Sequence, residues 1–247
     1  MSNRFKYLFS LAKAATRKGE TDDAVKERLV QHLLDTAPEG DVQAALDAID
    51  DFASKDSFLM NIGDVKGVLL DDVVERVRPM KAVELGSFCG YSGLRIARAL
   101  PAGGSLFSIE MNPNNADVST RVWNHAGVGD RVTAVVGTID DGKTIDRLKT
   151  EFGIAPGSLD LLFIDHEHSR YLPDLMLLLE SDLLHAGSVV VADNVKFPGA
   201  PKYLAYMRAN EGQSWRTVEH KSHLEYQRMI PDLVLESTYL GSAGKPA

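Results

Sequence analysis

Two stretches decide the fold: Leu159-Asp-Leu-Leu-Phe-Ile-Asp165 and Ser188-Val-Val-Val-Ala-Asp-Asn194. Each is an almost unbroken apolar run ending in carboxylate or amide oxygens. Such a run reads as a strand buried on both faces of a parallel sheet. Its polar end then falls at the carboxyl edge, where open α/β sheets bind ligands. Neighbouring strands lie about 4.8 Å apart, so Asp165, Asp193 and Asn194 are candidates to converge on one cation. Three oxygen donors without a thiolate suit a hard ion such as Mg2+.

Outward from these runs, strand and helix patterns alternate. Residues 81–86, 105–110, 132–137, 159–165 and 188–194 read as strands. Helical patterns fit 64–78, 92–100, 114–126, 141–151, 171–183 and 200–209. Two further helices, 22–36 and 42–54, precede them. Thr21 is placed to cap the first, and Pro38-Glu-Gly-Asp41 reads as the break between the two. The tail reads as an antiparallel hairpin of 225–230 and 233–240, with Pro231-Asp232 as its turn. The expected architecture is a doubly wound, Rossmann-like α/β fold: a seven-stranded, mostly parallel sheet with a C-terminal antiparallel hairpin. We read residues 1–247 as a single domain with an N-terminal helical extension, 1–56.

Composition narrows the function. Hydrophobic residues make up 44% of the 247, enough for a sizeable core. The net charge of −8 argues against a nucleic-acid partner. Cys89 is the one cysteine, so neither an intrachain disulfide nor a thiolate metal cluster is expected. No apolar stretch approaches the length of a membrane span, and no secretory signal is evident, so a cytoplasmic protein is expected. Near the start, Arg4, Lys6, Lys13, Arg17 and Lys18 alternate with Phe5, Leu8, Phe9, Leu11 and Ala12. This reads as an amphipathic helix that packs on the domain or on a partner subunit. A homodimer through the N-terminal helices is the corresponding expectation.

The first strand runs into Glu84-Leu-Gly-Ser-Phe-Cys-Gly-Tyr-Ser92. Gly86 and Gly90 permit close backbone approach, and the helix beyond offers free N–H groups. The turn is neither G-x-G-x-x-G nor a P-loop, which argues against a nicotinamide dehydrogenase. Strand two ends at Glu110, where a carboxylate can hold both hydroxyls of a ribose. Strand three ends at Gly137-Thr-Ile-Asp140, where Asp140 can meet an adenine amino group.

At this point the chain resembles the catechol O-methyltransferases, which use S-adenosylmethionine and Mg2+. The matching segments are Met60-Asn-Ile-Gly-Asp-Val-Lys-Gly67, Glu84 to Ser92, Glu110-Met-Asn-Pro113, Arg170-Tyr-Leu-Pro-Asp174, Ala192-Asp-Asn194 with Pro198-Gly199, and Leu224-Glu-Tyr226. They appear in family order across roughly residues 22–241. The resemblance implies the class I methyltransferase fold and transfer of a methyl group to one hydroxyl of a small catechol-like diol. It places Met60 and Ile62 against the cofactor's methionine portion, with Glu84, Gly86, Phe88, Tyr91 and Ser92 around it from strand one. Glu110 would hold the ribose and Met111 the adenine. Gly137, Thr138, Ile139, Asp140, Asp165 and His166 complete the implied cofactor set. Asp165, Asp193 and Asn194 would hold Mg2+, and Glu225 would accept a hydrogen bond from a diol hydroxyl. Phe58 and Pro198 would wall the ring, with Asp165 and Asn194 also facing the substrate.

One loop departs from the family. Where the family carries Asp-His-Trp-Lys, this chain has Asp165-His-Glu-His168. His168 stands in place of the lysine that acts as general base. A histidine's reference pKa of about 6.5 suits that task near neutrality, and we expect His168 to take the proton of the methylated hydroxyl. A solvated, idle histidine is the bland alternative. A transition-metal site built from Asp165, His166, His168 and Asp193 is another. Glu167 replaces the Trp; it either attracts the sulfonium or costs an aromatic contact. Lys66 reads as part of a solvated helix face. Related cation-dependent enzymes with larger phenylpropanoid or polyphenol substrates, and a catalytically impaired cofactor-binding protein, remain as alternative functions.

Overall fold

The computed structural model describes residues 20–241. The basic amphipathic segment and most of the dimer expectation attached to it lie outside the described residues. The chain forms α1 (Asp22–Thr36), α2 (Val42–Lys55), α3 (Gly63–Val77), β1 (Lys81–Leu85), α4 (Tyr91–Ala99), β2 (Ser105–Glu110), α5 (Pro113–His125) and β3 (Val132–Val136). It continues with α6 (Thr144–Thr150), β4 (Leu159–Ile164), α7 (Tyr171–Glu180), β5 (Leu184–Ala192), a kinked turn at Val195–Gly199, α8 (Pro201–Ala209), β6 (Trp215–Leu224) and β7 (Gln227–Tyr239). The helix starts follow local chemistry. Thr21 Oγ1 accepts from Ala24 N at 3.2 Å and Asp41 Oδ1 from Ala44 N at 2.9 Å. Asn112 caps α5 ahead of Pro113.

The sheet order is β3-β2-β1-β4-β5-β7-β6. The first five strands are parallel, and β7 and β6 add on antiparallel. The chain winds outward from β1 through β2 to β3, then crosses back to set β4 on the other side of β1. That reversal opens a crevice at the carboxyl ends of β1 and β4. Strand residues bury alternately into two cores. Ala82, Leu106, Leu161, Phe163, Val189 and Val191 face α1–α5. Val83, Leu85, Ile109, Leu162, Ile164, Val190 and Ala192 face α6–α8. Both faces being covered is why these strands read as unbroken apolar runs.

Among the boundaries that differ from the sequence reading, α6 starts at Thr144 rather than 141. Helix α7 stops at Glu180, and β5 starts at Leu184, because Leu184 pairs with Leu159 ahead of an irregularity. The hairpin is also shifted. Its first strand is β6, and its turn is Glu225-Tyr226, with Tyr226 left-handed at φ 55°. Pro231 and Asp232 lie inside β7, opposite His223 and Ser222. The pairing jumps from His223↔Pro231 to Leu224↔Gln227, so β7 carries a bulge beside Pro231. A proline, which has no N–H to donate, is tolerated at such an irregularity. A Pro-Asp pair resembles a turn in sequence, but here it sits in a strand.

Gly86 is where the fold leaves no room. Its φ is 95°, and an added Cβ would lie 2.6 Å from the Asp165 carbonyl oxygen. The Gly86→Ala protein is expected to lose about 2 kcal/mol or more, from left-handed strain plus a backbone clash. Urea unfolding measures it; a change below about 0.5 kcal/mol, the range of neutral surface substitutions, contradicts the tight packing of β1 on β4.

Candidate active site

Register places the polar rim. Leu85 pairs with both Ile109 and Ile164, and Ile164 pairs with Ala192. The next residue on each strand therefore sits at one level: Gly86, Glu110, Asp165 and Asp193. Backbone bonds lock them, with Gly86 N donating to Ile109 O at 2.8 Å, Asp165 N to Leu85 O at 3.0 Å and Asp193 N to Ile164 O at 3.1 Å. Above this rim lies a cavity of about 560 Å3, well within the range of small-molecule sites.

At one end the cavity is lined by Met60, Gly86, Phe88, Glu110, Met111, Gly137, Thr138, Ile139 and Asp140. Glu110 is already occupied. Its Oε2 accepts from Ser87 N and Phe88 N, both at 3.1 Å, and its Oε1 from Asn112 N at 2.8 Å. Ser87 Oγ also donates to Oε2, at 3.4 Å, so Glu110 clamps the glycine turn with most of its lone pairs engaged. Phe88 holds φ 49° in that turn. Met111 is 71% exposed, an apolar side chain with no protein cover. Asp140 is ion-paired with Arg170, which also reaches Asp174 at 3.1 Å.

The other end is lined by Asp165, His166, Glu167, His168, Asn194, Pro198, Leu224 and Glu225. His166 Nε2 lies 2.8 Å from buried Asp174. Tyr171 stacks on both His166 and His168, with ring centroids 5.3 and 5.1 Å away, and its hydroxyl donates to the Asp193 carbonyl at 3.1 Å. His168 is half-buried between exposed Glu167 and Ser169, and neither of its nitrogens has a hydrogen-bond partner. Burial lowers its pKa to about 4, with Glu167 and Asp232 opposing. The sequence reading assumed the free imidazole value; the fold removes the water that sets it.

Beneath this end is a cluster that the sequence reading did not foresee. Lys66, expected on a solvated face, is 2% exposed. Its Nζ lies 2.7 Å from Asp193 Oδ2 and 3.1 Å from Asp232 Oδ2, and it also binds Glu225 Oε1. Asn194 Nδ2 donates to Glu225 Oε1 at 3.0 Å and to Asp232 Oδ2 at 2.8 Å. Asp232 Oδ1 accepts from Phe197 N at 3.0 Å, which pins the turn carrying Pro198. Asp193 Oδ1 is buried without a hydrogen-bond partner, and the Lys66 contact to Oδ2 is an ion pair outside hydrogen-bond geometry. Burial pushes the Asp193 carboxyl up to about 8; Lys66 opposes this, while Glu225 and Asp232 add to it. Burial and then the charges of Asp193 and Glu225 raise Asp165 well above the ordinary range.

The expected site residues therefore divide. Gly86, Glu110, Asp140, Asp165, His166, His168, Asn194, Pro198 and Glu225 share the cavity wall. Ile62, Glu84, Tyr91, Ser92 and Asp193 are buried and Phe58 is half-buried, and none of the six is on that wall. Tyr91 donates to Asp50, and Ser92 and Ser108 donate to Glu84. Among the described residues, the group of three acidic or histidine residues close enough to share one ion is Asp193, Glu225 and Asp232. This trio contains no histidine, which disfavours the mixed histidine–carboxylate metal set. Lys66 did carry a signal: Gly63, Lys66, Gly67, Leu70, Val73 and Val74 follow the spacing of a buried helix stripe. Asp232 carried none, since nothing in Pro231-Asp-Leu-Val-Leu235 alternates.

Comparison with known proteins settles the lineage. An O-methyltransferase family model matches residues 41–225. The chain belongs to the O-methyltransferase family. It is 52% identical, over 92% of its length and 97% of the relative's, to a probable O-methyltransferase of Mycobacterium tuberculosis. It is 38% identical to catechol O-methyltransferase of Mus musculus, covering 90% of this chain and 81% of that one. A similar relative is catechol O-methyltransferase B of Danio rerio, at 43% identity over 87% of this chain and 79% of that one. The fold matches the O-methyltransferase TomG of Streptomyces achromogenes, solved with S-adenosylmethionine, at TM-score 0.64 and 23% identity over 80% of this chain and 90% of that one. It matches a Bacillus cereus O-methyltransferase equally, at TM-score 0.64 and 17% identity over 93% and 97%. The seven-stranded sheet with its antiparallel hairpin is thus the class I methyltransferase fold.

Glu84 provides a test of the buried rim. Burial raises its carboxyl to about 7, with the Ser108 and Ser92 hydroxyls opposing. The folded pKa exceeds the unfolded one, so its contribution to stability is complete below the unfolded pKa of about 4.3 and is lost as pH rises through about 7. Between pH 5 and 8 the parent should lose up to about 3 kcal/mol relative to Glu84→Gln. Denaturant titrations at several pH values measure the difference; parallel pH curves contradict it.

Proposed function

We propose that this protein transfers a methyl group from S-adenosylmethionine to one hydroxyl of a catechol-like diol, with Mg2+ at the tips of β4 and β5. The observation that carries this reading is Asp193 Oδ1: a buried carboxylate oxygen with no hydrogen-bond partner, one strand from Asp165. Lys66 meets the Oδ2 side of this carboxylate, and a buried carboxylate oxygen left without a donor on the other side is costly unless a second cation meets it. Asn194 supports the same ligand set, because its Nδ2 is committed to two carboxylates and its carbonyl oxygen is the end left for a ligand. All three are hard oxygen donors. When bound, Mg2+ lowers the pKa of the diol hydroxyls and holds both oxygens.

The chain's own groups do the rest. The Gly86 backbone and Glu110 line the end of the cavity that suits a ribose and amino-acid moiety. Glu225 and Pro198, at the far end, suit a hydroxyl and a flat ring. His168 is neutral near pH 7 with a free nitrogen lone pair, so it can accept a proton. A base with pKa near 4 is weak, so its contribution falls at the low end of general-base effects, about 10²-fold or less. We also read the chain as one cytoplasmic domain acting on small molecules; the absence among the described residues of a helix long and apolar enough to cross a membrane agrees with this.

A second cavity of about 270 Å3 shares Glu167, His168 and Pro198 with the first. It favours a diol carrying a substituent, such as a larger polyphenol, over bare catechol. Masses of the products from a panel of diols with S-adenosylmethionine and Mg2+ separate these readings. No methyl transfer at any pH or metal concentration would leave only a cofactor-binding protein.

Two substitutions test the roles. Asp193→Ala should abolish metal-dependent turnover while its circular dichroism spectrum stays folded; full activity contradicts the metal assignment. His168→Gln should lower kcat by about tenfold to a hundredfold and remove an acidic limb near pH 4, not one near 6.5. Unchanged turnover and an unchanged limb dismiss His168 as the base.

A further inference from the structure

The Lys66 cluster has the form of a second cation position that the chain fills by itself. Oxygens of Asp193, Glu225 and Asp232 lie within 4.8 Å of one another, close enough for one divalent ion to reach all three. The Lys66 ammonium stands among them, in contact with each. It donates hydrogen bonds to Glu225 and Asp232, and its charge meets Asp193. The backbone brings it there: Lys66 lies on the inward stripe of α3, and Gly63 starts that helix against the hairpin turn. An added Cβ at Gly63 would be 3.4 Å from the Glu225 Cβ.

We propose that the Lys66 ammonium is a fixed monocation of the active site that excludes a second divalent ion from the Asp193–Glu225–Asp232 triad and confines metal to Asp165, Asp193 and Asn194. This rests on the Mg2+ reading above. Lys66 and the Asn194 amide together saturate the inward oxygens of Glu225 and Asp232. Asp193 Oδ1 is then a buried oxygen of the cluster left without a partner and free for metal. Two-metal sites place their ions about 3.5–4 Å apart, and Asp193 bridges the two positions here. A lysine in one of them turns a potential two-ion centre into a one-ion centre. Glu225 stays anchored as an acceptor for a substrate hydroxyl and is not consumed as a metal ligand.

The test is a Mn2+ titration of the full chain read by electron paramagnetic resonance, with thermal melts alongside. The parent should bind one ion. Lys66→Ala opens the space and frees the triad, so it should bind two ions and gain more thermal stability from Mn2+ than the parent does. Lys66→Met fills the space without charge, so it should bind one ion, about tenfold more tightly, from removal of a nearby positive charge even at the dielectric of water. Should the alanine protein not fold, the methionine protein decides alone. One ion at the parent's affinity in the variants overturns the role of Lys66 and leaves the metal reading standing. A parent that binds no Mn2+ overturns both.

Discussion

The in-register ends of β1, β4 and β5 are the constraint on which the rest depends. Leu85, Ile164 and Ala192 are the last paired residues of three adjacent parallel strands, so Gly86, Asp165 and Asp193 emerge together. A one-residue slip of β4 would turn Asp165 into the core and bring an apolar residue to the rim. The two cores prevent that slip, because both faces of each strand are covered and every side chain has its side assigned. The glycine turn, the histidine loop and the Asn194–Pro198 turn all start from this rim. Their geometry is inherited from hydrophobic packing below them.

Packing also creates the electrostatic problem at the rim. Asp193, Glu225 and Asp232 are gathered around a single ammonium, with Asp165 one strand away. Buried charges without full compensation raise the free energy of the fold, and the upward pKa shifts of Asp165 and Asp193 express that imbalance. Such a site is poorly explained as a stabilising device. It suits a protein whose charges are balanced only when a cation arrives, which is the need that the proposed Mg2+ would meet. A second polar system, His166 with buried Asp174 and Arg170 with exposed Asp140, ties the β3 and β4 loops together across the cavity.

Much of this could be read in the sequence where a local rule and the tertiary need agree. The five parallel strands and the cap at Thr21 follow from apolar runs and a capping residue. The misread parts are places where local chemistry and environment conflict. Pro231-Asp232 has turn composition but lies in a strand beside a bulge. Lys66 has the composition of a surface but the spacing of a core, and the spacing was the better guide. His168 was assigned the pKa of an imidazole in water, though Tyr171 packs on its face.

By itself the sequence determined the α/β winding, the position of the polar groups at strand ends and the resemblance to a methyltransferase family. These depend on the order and polarity of neighbouring residues, which the chain carries directly. Only the tertiary structure decided that Lys66 stands among three carboxylates, two of them more than 150 residues away in sequence. It also decided that Asp193 Oδ1 is left without a donor and that Ser92 and Tyr91 bond to Glu84 and Asp50 and are not on the cavity wall. Burial and the approach of distant strands set the strength and availability of each charge. Neither quantity exists until the sheet has formed and excluded water.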